Sequence, residues 1–298
     1  MQNYGGGDLR KLVFVSILLA LVVVSLGAYT RLTHAGLGCP DWPGCYGLID
    51  VPETKSQIAK AELAFPERPV EPQKAWNEMI HRYFAGALGL CILAISIISF
   101  RRRKQGTPLL LPLLLLVIVT FQAALGMWTV TMKLMPVVVM AHLLGGFTTL
   151  CLLYLLHLRL NPKHITSGDW SIKKYGSYGL LGIVILTAQI ALGGWTSSNY
   201  AALTCTELPI CQEGWQEQLT FTDSFDLIPP EKESYEYGHL PHADRVTIHV
   251  VHRIGAIITA LYLGWLALMV FKHSQTLFFR RAALSLGLIL FVQLSLGV

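Results

Sequence analysis

Seven stretches of this chain are apolar over most of the length that crosses a bilayer core: Leu12 to Tyr29, His81 to Phe100, Leu109 to Trp128, Met135 to Leu158, Tyr178 to Trp195, Val246 to Phe271 and Ala282 to Val298. A helical span needs about 20 mostly apolar residues, so the pattern predicts an all-α integral membrane protein with seven spans. Lys and Arg punctuate it at Arg10-Lys11, Arg101 to Lys104, Arg159 with Lys163, Lys173-Lys174, and Lys272 with Arg280-Arg281. Short cytoplasmic loops collect such residues. The N-terminus is therefore expected inside, and the long loops Arg31 to Asn77 and Ser197 to Arg245 outside. No small-residue cleavage site follows the first stretch, so it reads as a span and not as a signal peptide.

Composition sharpens this picture. Of 298 residues, 53% are hydrophobic and 14% charged, against about one-quarter charged in a soluble domain. The second long loop holds nine Asp or Glu against two Lys or Arg. The net charge of +5 thus reflects basic residues at the inner turns and not nucleic-acid binding.

The chain also reads twice. Cys39-Pro40-Asp41-Trp42-Pro43-Gly44-Cys45 follows the first span, and Cys205-Thr206-Glu207-Leu208-Pro209-Ile210-Cys211 follows the fifth. Each long loop then enters a span through a His-Arg pair, Glu78-x-x-His81-Arg82 and His249-x-x-His252-Arg253, and the span after that carries Gln122 or Gln293 ahead of Leu-Gly. In the first copy a fourth span bears His142, twenty residues after Gln122; the same step from Gln293 passes Val298. The pattern predicts two pseudo-symmetric four-helix bundles, residues 1–160 and 161–298, the second one helix short.

His81 lies roughly 30 Å from the inner turn at Arg101 and His142 roughly 25 Å from Arg159, at 1.5 Å per helical residue. Ionisable residues within a bilayer are costly and usually functional. Two imidazoles at one depth suit axial ligation of a haem iron inside a bundle, and His252 is one half of an equivalent pair. The plain alternative for any one of them is a hydrogen-bonded packing residue; the repetition favours the ligand. Arg31, Arg82 and Arg253 stand where a guanidinium can pair with a haem propionate or snorkel to lipid phosphate. Glu78 is the asymmetry between the copies, since His249 takes its position in the second; a carboxylate there can move protons or stabilise positive charge, and the alternative is an acid favoured at a helix start. Cys39-Cys45 and Cys205-Cys211 are disulfide candidates in an oxidising compartment, as staples or as redox groups. Cys91 and Cys151 read as packing residues, and Gln122, Gln189 and Gln293 as bridges between helices. His34, His239 and His242 are expected in the outer loops, with His157, His164 and His273 near the inner face.

These residues resemble the haem A synthases, the cytochrome-oxidase assembly enzymes that convert haem O to haem A. The resemblance rests on Thr30 to Pro43, Glu78-x-x-His81-Arg82, Ala141-His142 and His252-Arg253, and spans nearly the whole chain. It implies oxidation of the C8 methyl group of the porphyrin to a formyl group. His81 and His142 would flank haem O, Glu78 would be the essential acid, and His252 would hold a haem b that passes electrons. It further implies a bacterial inner-membrane location with periplasmic cysteine loops, contact with membrane lipid, and an unidentified electron donor. Candidate partners are haem O synthase, oxidase assembly factors and a second copy of the chain. The rival readings are a bis-histidine cytochrome b that only relays electrons from quinol and, less favoured, a transporter, which calls for broken midplane helices.

Overall fold

The computed structural model describes residues 7–161 and 169–297; Lys163 and His164 lie outside the described residues. Among the described residues seven helices are long and apolar enough to cross a membrane, and the protein is a multi-pass membrane protein. The helices are α1 (Gly7–Leu32), α2 (Lys55–Ala64), α3 (Pro72–Arg101), α4 (Leu110–Thr131), α5 (Pro136–Leu160), α6 (Gly176–Ser198), α7 (His242–His273) and α8 (Leu277–Leu296); α2 is the short one.

Local sequence explains where they start. α3 and α5 open on Pro72 and Pro136, whose fixed φ suits the first helical turn and whose missing N–H is not needed there. α2 opens on a capping box: Thr54 Oγ1 accepts the Gln57 N–H at 3.2 Å, and Gln57 Oε1 accepts the Thr54 N–H at 3.0 Å. The long helices also overrun their apolar stretches. α3 has 30 residues, about 45 Å at 1.5 Å per residue, which exceeds a bilayer core of about 30 Å. Glu78 is therefore not at a helix start. It stands in the second turn of α3, past the reach of the terminal dipole, and that part of the expectation is corrected.

The chain divides into two compact units. The first comprises Met1–Asn161 with Glu231–Glu236, and the second Pro162–Pro230 with Tyr237–Val298. In the first, α1 packs on α3 and α5, α3 on α4, and α4 on α5, which closes a ring of four helices. At its arginine-rich end the ring is filled by Leu9, Val13, Ile92, Ile95, Leu115, Leu153, Leu156 and Leu160, all buried. Ser96 is buried next to them and donates to the carbonyls of Ile92 and Pro112, both at 2.9 Å, as a hydroxyl inside a bilayer requires.

The opposite end carries a small core of its own, in which Cys39, Cys45, Tyr46, Val51 and Ala61 pack on Ala75 and Met79 of α3. Asp41 accepts the N–H groups of Tyr46 and Gly47 at 2.6 and 2.7 Å. Tyr46 donates to the Pro69 carbonyl at 3.1 Å, and burial pushes its hydroxyl up to about 12. The Glu231–Glu236 segment ties into this unit through the Arg68–Glu236 ion pair at 2.8 Å and a Tyr235 N–H donated to the Lys133 carbonyl at 3.0 Å.

In the second unit α7 packs against both α6 and α8. Asp169 gathers the turn before α8: it accepts from the Ser274 hydroxyl at 2.6 Å and from the Gln275 and Thr276 N–H groups at 2.8 and 3.0 Å. Donors led by the Ser171 hydroxyl hold its carboxyl well below the usual range.

Leu153→Ala leaves a cavity at a wholly buried position of the aliphatic plug and is expected to cost about 2–5 kcal/mol, read as a lower thermal midpoint in detergent. Leu90→Ala, at a site 69% exposed, is expected to change it little. Equal effects would contradict the packing described.

Candidate functional site

His81 on α3 and His142 on α5 both lie toward the cysteine-loop end of the first unit, away from the aliphatic plug. Their rings are near enough to interact electrostatically. Nδ1 of each is buried without a well-formed hydrogen bond, with the Val23 backbone beside His81 and the Gln122 backbone beside His142. Each ring edge rests on a glycine of a neighbouring helix. A Cβ added at Gly27 of α1 would lie 3.0 Å from His81 Cε1, and one at Gly126 of α4 would lie 3.5 Å from His142 Cε1. The second unit repeats the contact, with Gly193 of α6 against His252 of α7 at 3.2 Å.

The sequence carries a signal for these glycines. Leu26-Gly27-Ala28-Tyr29-Thr30, Leu125-Gly126-Met127-Trp128-Thr129 and Leu192-Gly193-Gly194-Trp195-Thr196 are one pattern, Leu-Gly-x-aromatic-Thr. Each instance supplies the glycine against one of the three histidines.

Around Glu78 the structure builds a clamp. The side chain is 5% exposed; Oε2 accepts the Cys39 N–H at 2.9 Å, and Oε1 accepts from Arg82 at 2.5 Å. Arg82 also donates to the carbonyls of Gly44 at 2.5 Å and Pro43 at 3.3 Å, and Cys39 is joined to Cys45. One ion pair thus holds both ends of the disulfide loop against α3.

The second unit makes the same clamp with a different acceptor. His249 Nδ1 accepts the Cys205 N–H at 3.2 Å, Cys205 is joined to Cys211, and Arg253 donates to the carbonyls of Cys205 at 3.0 Å, Glu207 at 2.5 Å and Ile210 at 2.9 Å. Both loops contain a cis X–Pro bond, Trp42–Pro43 and Leu208–Pro209. These loop contacts of Arg82 and Arg253 were not foreseen, because a backbone carbonyl acceptor leaves no mark in sequence. Arg31 closes the last turn of α1.

Gln189 of α6 reaches α7, where its Nε2 lies 3.0 Å from His252 Nδ1 and 3.1 Å from the His252 carbonyl. Gln122 of α4 lies over Gly145 of α5, and Gln293 is exposed on α8. The remaining spans' histidines take ordinary partners: His157 meets Phe14 and Asn161, and His273 meets Tyr175 and the Met269 carbonyl. Cys91 and Cys151 are free thiols.

Among the described residues no three His, Cys, Asp or Glu side chains gather as a metal site. A metal held by His81 and His142 must therefore bring most of its own ligands, as porphyrin iron does. The glycines against the ring edges leave room for such a flat group.

The comparisons with known proteins agree with this arrangement. Residues 10–298 match the COX15-CtaA family of cytochrome oxidase assembly proteins. The chain is 49% identical to the heme A synthase of Shewanella oneidensis over 293 residues, covering 98% of this chain and 87% of that protein. It is 26% identical to the heme A synthase of Bacillus licheniformis over 215 residues, 70% of this chain and 65% of the relative. For the Mesorhizobium japonicum heme A synthase the identity is 25% over 308 residues, 97% of this chain and 81% of the relative. On a family match over almost its whole length, the chain belongs to the COX15-CtaA family of cytochrome oxidase assembly proteins.

Proposed function

We propose that this protein is a haem A synthase, an oxidoreductase that converts the C8 methyl group of haem O into the formyl group of haem A for terminal oxidases. Family membership over nearly the full chain supports the reaction. The observation that carries the site is the gathering of His81 and His142 in the same unit as the clamped Glu78.

In this reading residues 1–160 form the half that takes haem O, with His81 and His142 on the two faces of the substrate iron. Oxidising a methyl carbon releases protons, and Glu78 is the carboxylate on α3 assigned to accept one. Its partner Arg82 orients it. The Cys39–Cys45 loop, pinned over the end of α3 by the same pair, limits the access of water. Residues 161–298 form the half that takes haem b through His252; when bound, haem b supplies one-electron transfer. A guanidinium has five N–H donors, so Arg82 and Arg253 can serve propionates as well as loop carbonyls, and Arg31 is proposed for the same task. The bacterial relatives and the basic residues at one end of the spans support an inner-membrane location with a cytoplasmic N-terminus and periplasmic cysteine loops. A cysteine-loop reporter fusion that is active only in the cytoplasm would contradict that orientation.

The second reading is a cytochrome that relays electrons without changing a porphyrin; the like construction of the two clamps favours it. Glu78→Gln separates the two. The amide still accepts the Cys39 N–H, so fold and pigment are expected to persist, while haem A formation falls by about 10²-fold or more, the scale of general acid–base catalysis. Extracted pigment analysed by mass gives the answer, and undiminished haem A would remove Glu78 from the reaction.

His81→Ala or His142→Ala is expected to abolish the bis-histidine spectrum of the haem in the first half. His252→Ala is expected to remove only the second haem, leaving the first. An unchanged Soret band in any of the three would defeat that ligand assignment.

A further inference from the structure

Gln189 of α6 lies against His252, one of the candidate ligands. Its amide sits 3.0 Å from Nδ1 of the ring, while its own Oε1 is buried without a hydrogen-bond partner. In the Leu-Gly-x-aromatic-Thr pattern Gln189 stands four residues before Gly193, Gln122 holds the matching place before Gly126, and the matching residue before Gly27 is Val23. His81 thus meets the Val23 backbone where His252 meets a side-chain amide. Gly255 makes the room: a Cβ there would collide with Gln189 Oε1 and stand 3.2 Å from Leu192 Cδ1.

The amide as oriented donates to Nδ1, which requires the ring proton on Nε2. A ring that binds iron through Nε2 must carry its proton on Nδ1 instead. Half a turn of the amide about its last bond exchanges Nε2 for Oε1. Oε1 then accepts the Nδ1–H and gains the partner it lacks, in exchange for the Nε2 bond to the His252 carbonyl.

We propose that Gln189 is a positioning residue for the second haem: it turns its amide to accept Nδ1–H of His252, fixes the tautomer, and raises the electron density of the ligand. This rests on the reading of His252 as an iron ligand. A hydrogen bond from a metal-bound imidazole makes the ligand more basic and favours ferric iron, so it lowers the reduction potential. His81, with Val23 in the matching place, has no such side-chain acceptor.

The test is redox titration of the intact, haem-loaded protein and of Gln189→Val, which copies position 23, and Gln189→Glu, which is isosteric with a stronger acceptor. The signal followed is the haem that His252→Ala removes. Gln189→Val is expected to raise its potential by about 59 mV, a tenfold change for one electron, and to weaken haem retention about tenfold. Gln189→Glu is expected to lower the potential. Gly255→Ala, which displaces the amide without removing it, is expected to move the potential upward as Gln189→Val does. Potentials that stay unchanged in both Gln189 variants, or that move in the same direction, overturn the inference and leave the ligand reading standing. If His252→Ala loses no haem, the ligand reading itself has failed and the inference with it.

Discussion

An imidazole inside a bilayer has no water to satisfy it, and a helix surface crowded with side chains has no room for its ring. The contact that answers the second demand is the close approach of a ring edge to a glycine on the next helix, made by His81, His142 and His252. It determines much else. The glycines recur near the cysteine-loop ends of α1, α4 and α6, so the histidines recur at that depth. The opposite end of the first unit is then free to be filled with leucine, isoleucine and valine. Without the glycine the ring would be pushed off its neighbour, and both a bound porphyrin and the helix spacing would have to change.

The loops are tied to the same helices that carry the candidate ligands. Each disulfide loop is short, polar and rich in carbonyls that α-helical neighbours cannot satisfy. The arginine following each candidate ligand supplies donors to those carbonyls, and the residue three before the ligand accepts the N–H of the first cysteine. Loop and ligand are thereby held by the same two turns of one helix. A shift of the loop is transmitted to the histidine between its two anchors, which gives the loops a mechanical relation to the site that their sequence distance hides.

Much of this was legible in the chain itself. The seven spans follow from apolar run length, and the repeated cysteine and His-Arg spacings pointed to the residues that the structure gathers. What escaped was of three kinds. Helix ends were drawn at the edge of the apolar run, but backbone hydrogen bonding continues as long as side chains find something to pack on; α3 therefore begins at Pro72, where Ala75 and Met79 meet the loop core. α2, of ten residues, has too few apolar positions to mark a periodic face, although Thr54 and Gln57 spell a capping box. The loop contacts of Arg82 and Arg253 were invisible because their acceptors are main-chain oxygens, which every residue type provides.

The comparison of Glu78 with His249 narrows what the carboxylate is for. Both accept a cysteine N–H at the same point of the clamp, so accepting that bond cannot be what demands a carboxylate. An imidazole does it with no formal charge, provided its Nδ1 is bare. What Glu78 adds is an ion pair with Arg82, where Arg253 instead spends its donors on three carbonyls. The first half therefore keeps a carboxylate buried three residues before its candidate ligand and pairs it with one guanidinium, whereas the second half has none there. A buried ion pair is poor value as a staple, since desolvation cancels much of its attraction and the second clamp manages without it. On the function proposed above, the carboxylate is retained for the chemistry of the first half, where a proton leaves a carbon that is being oxidised.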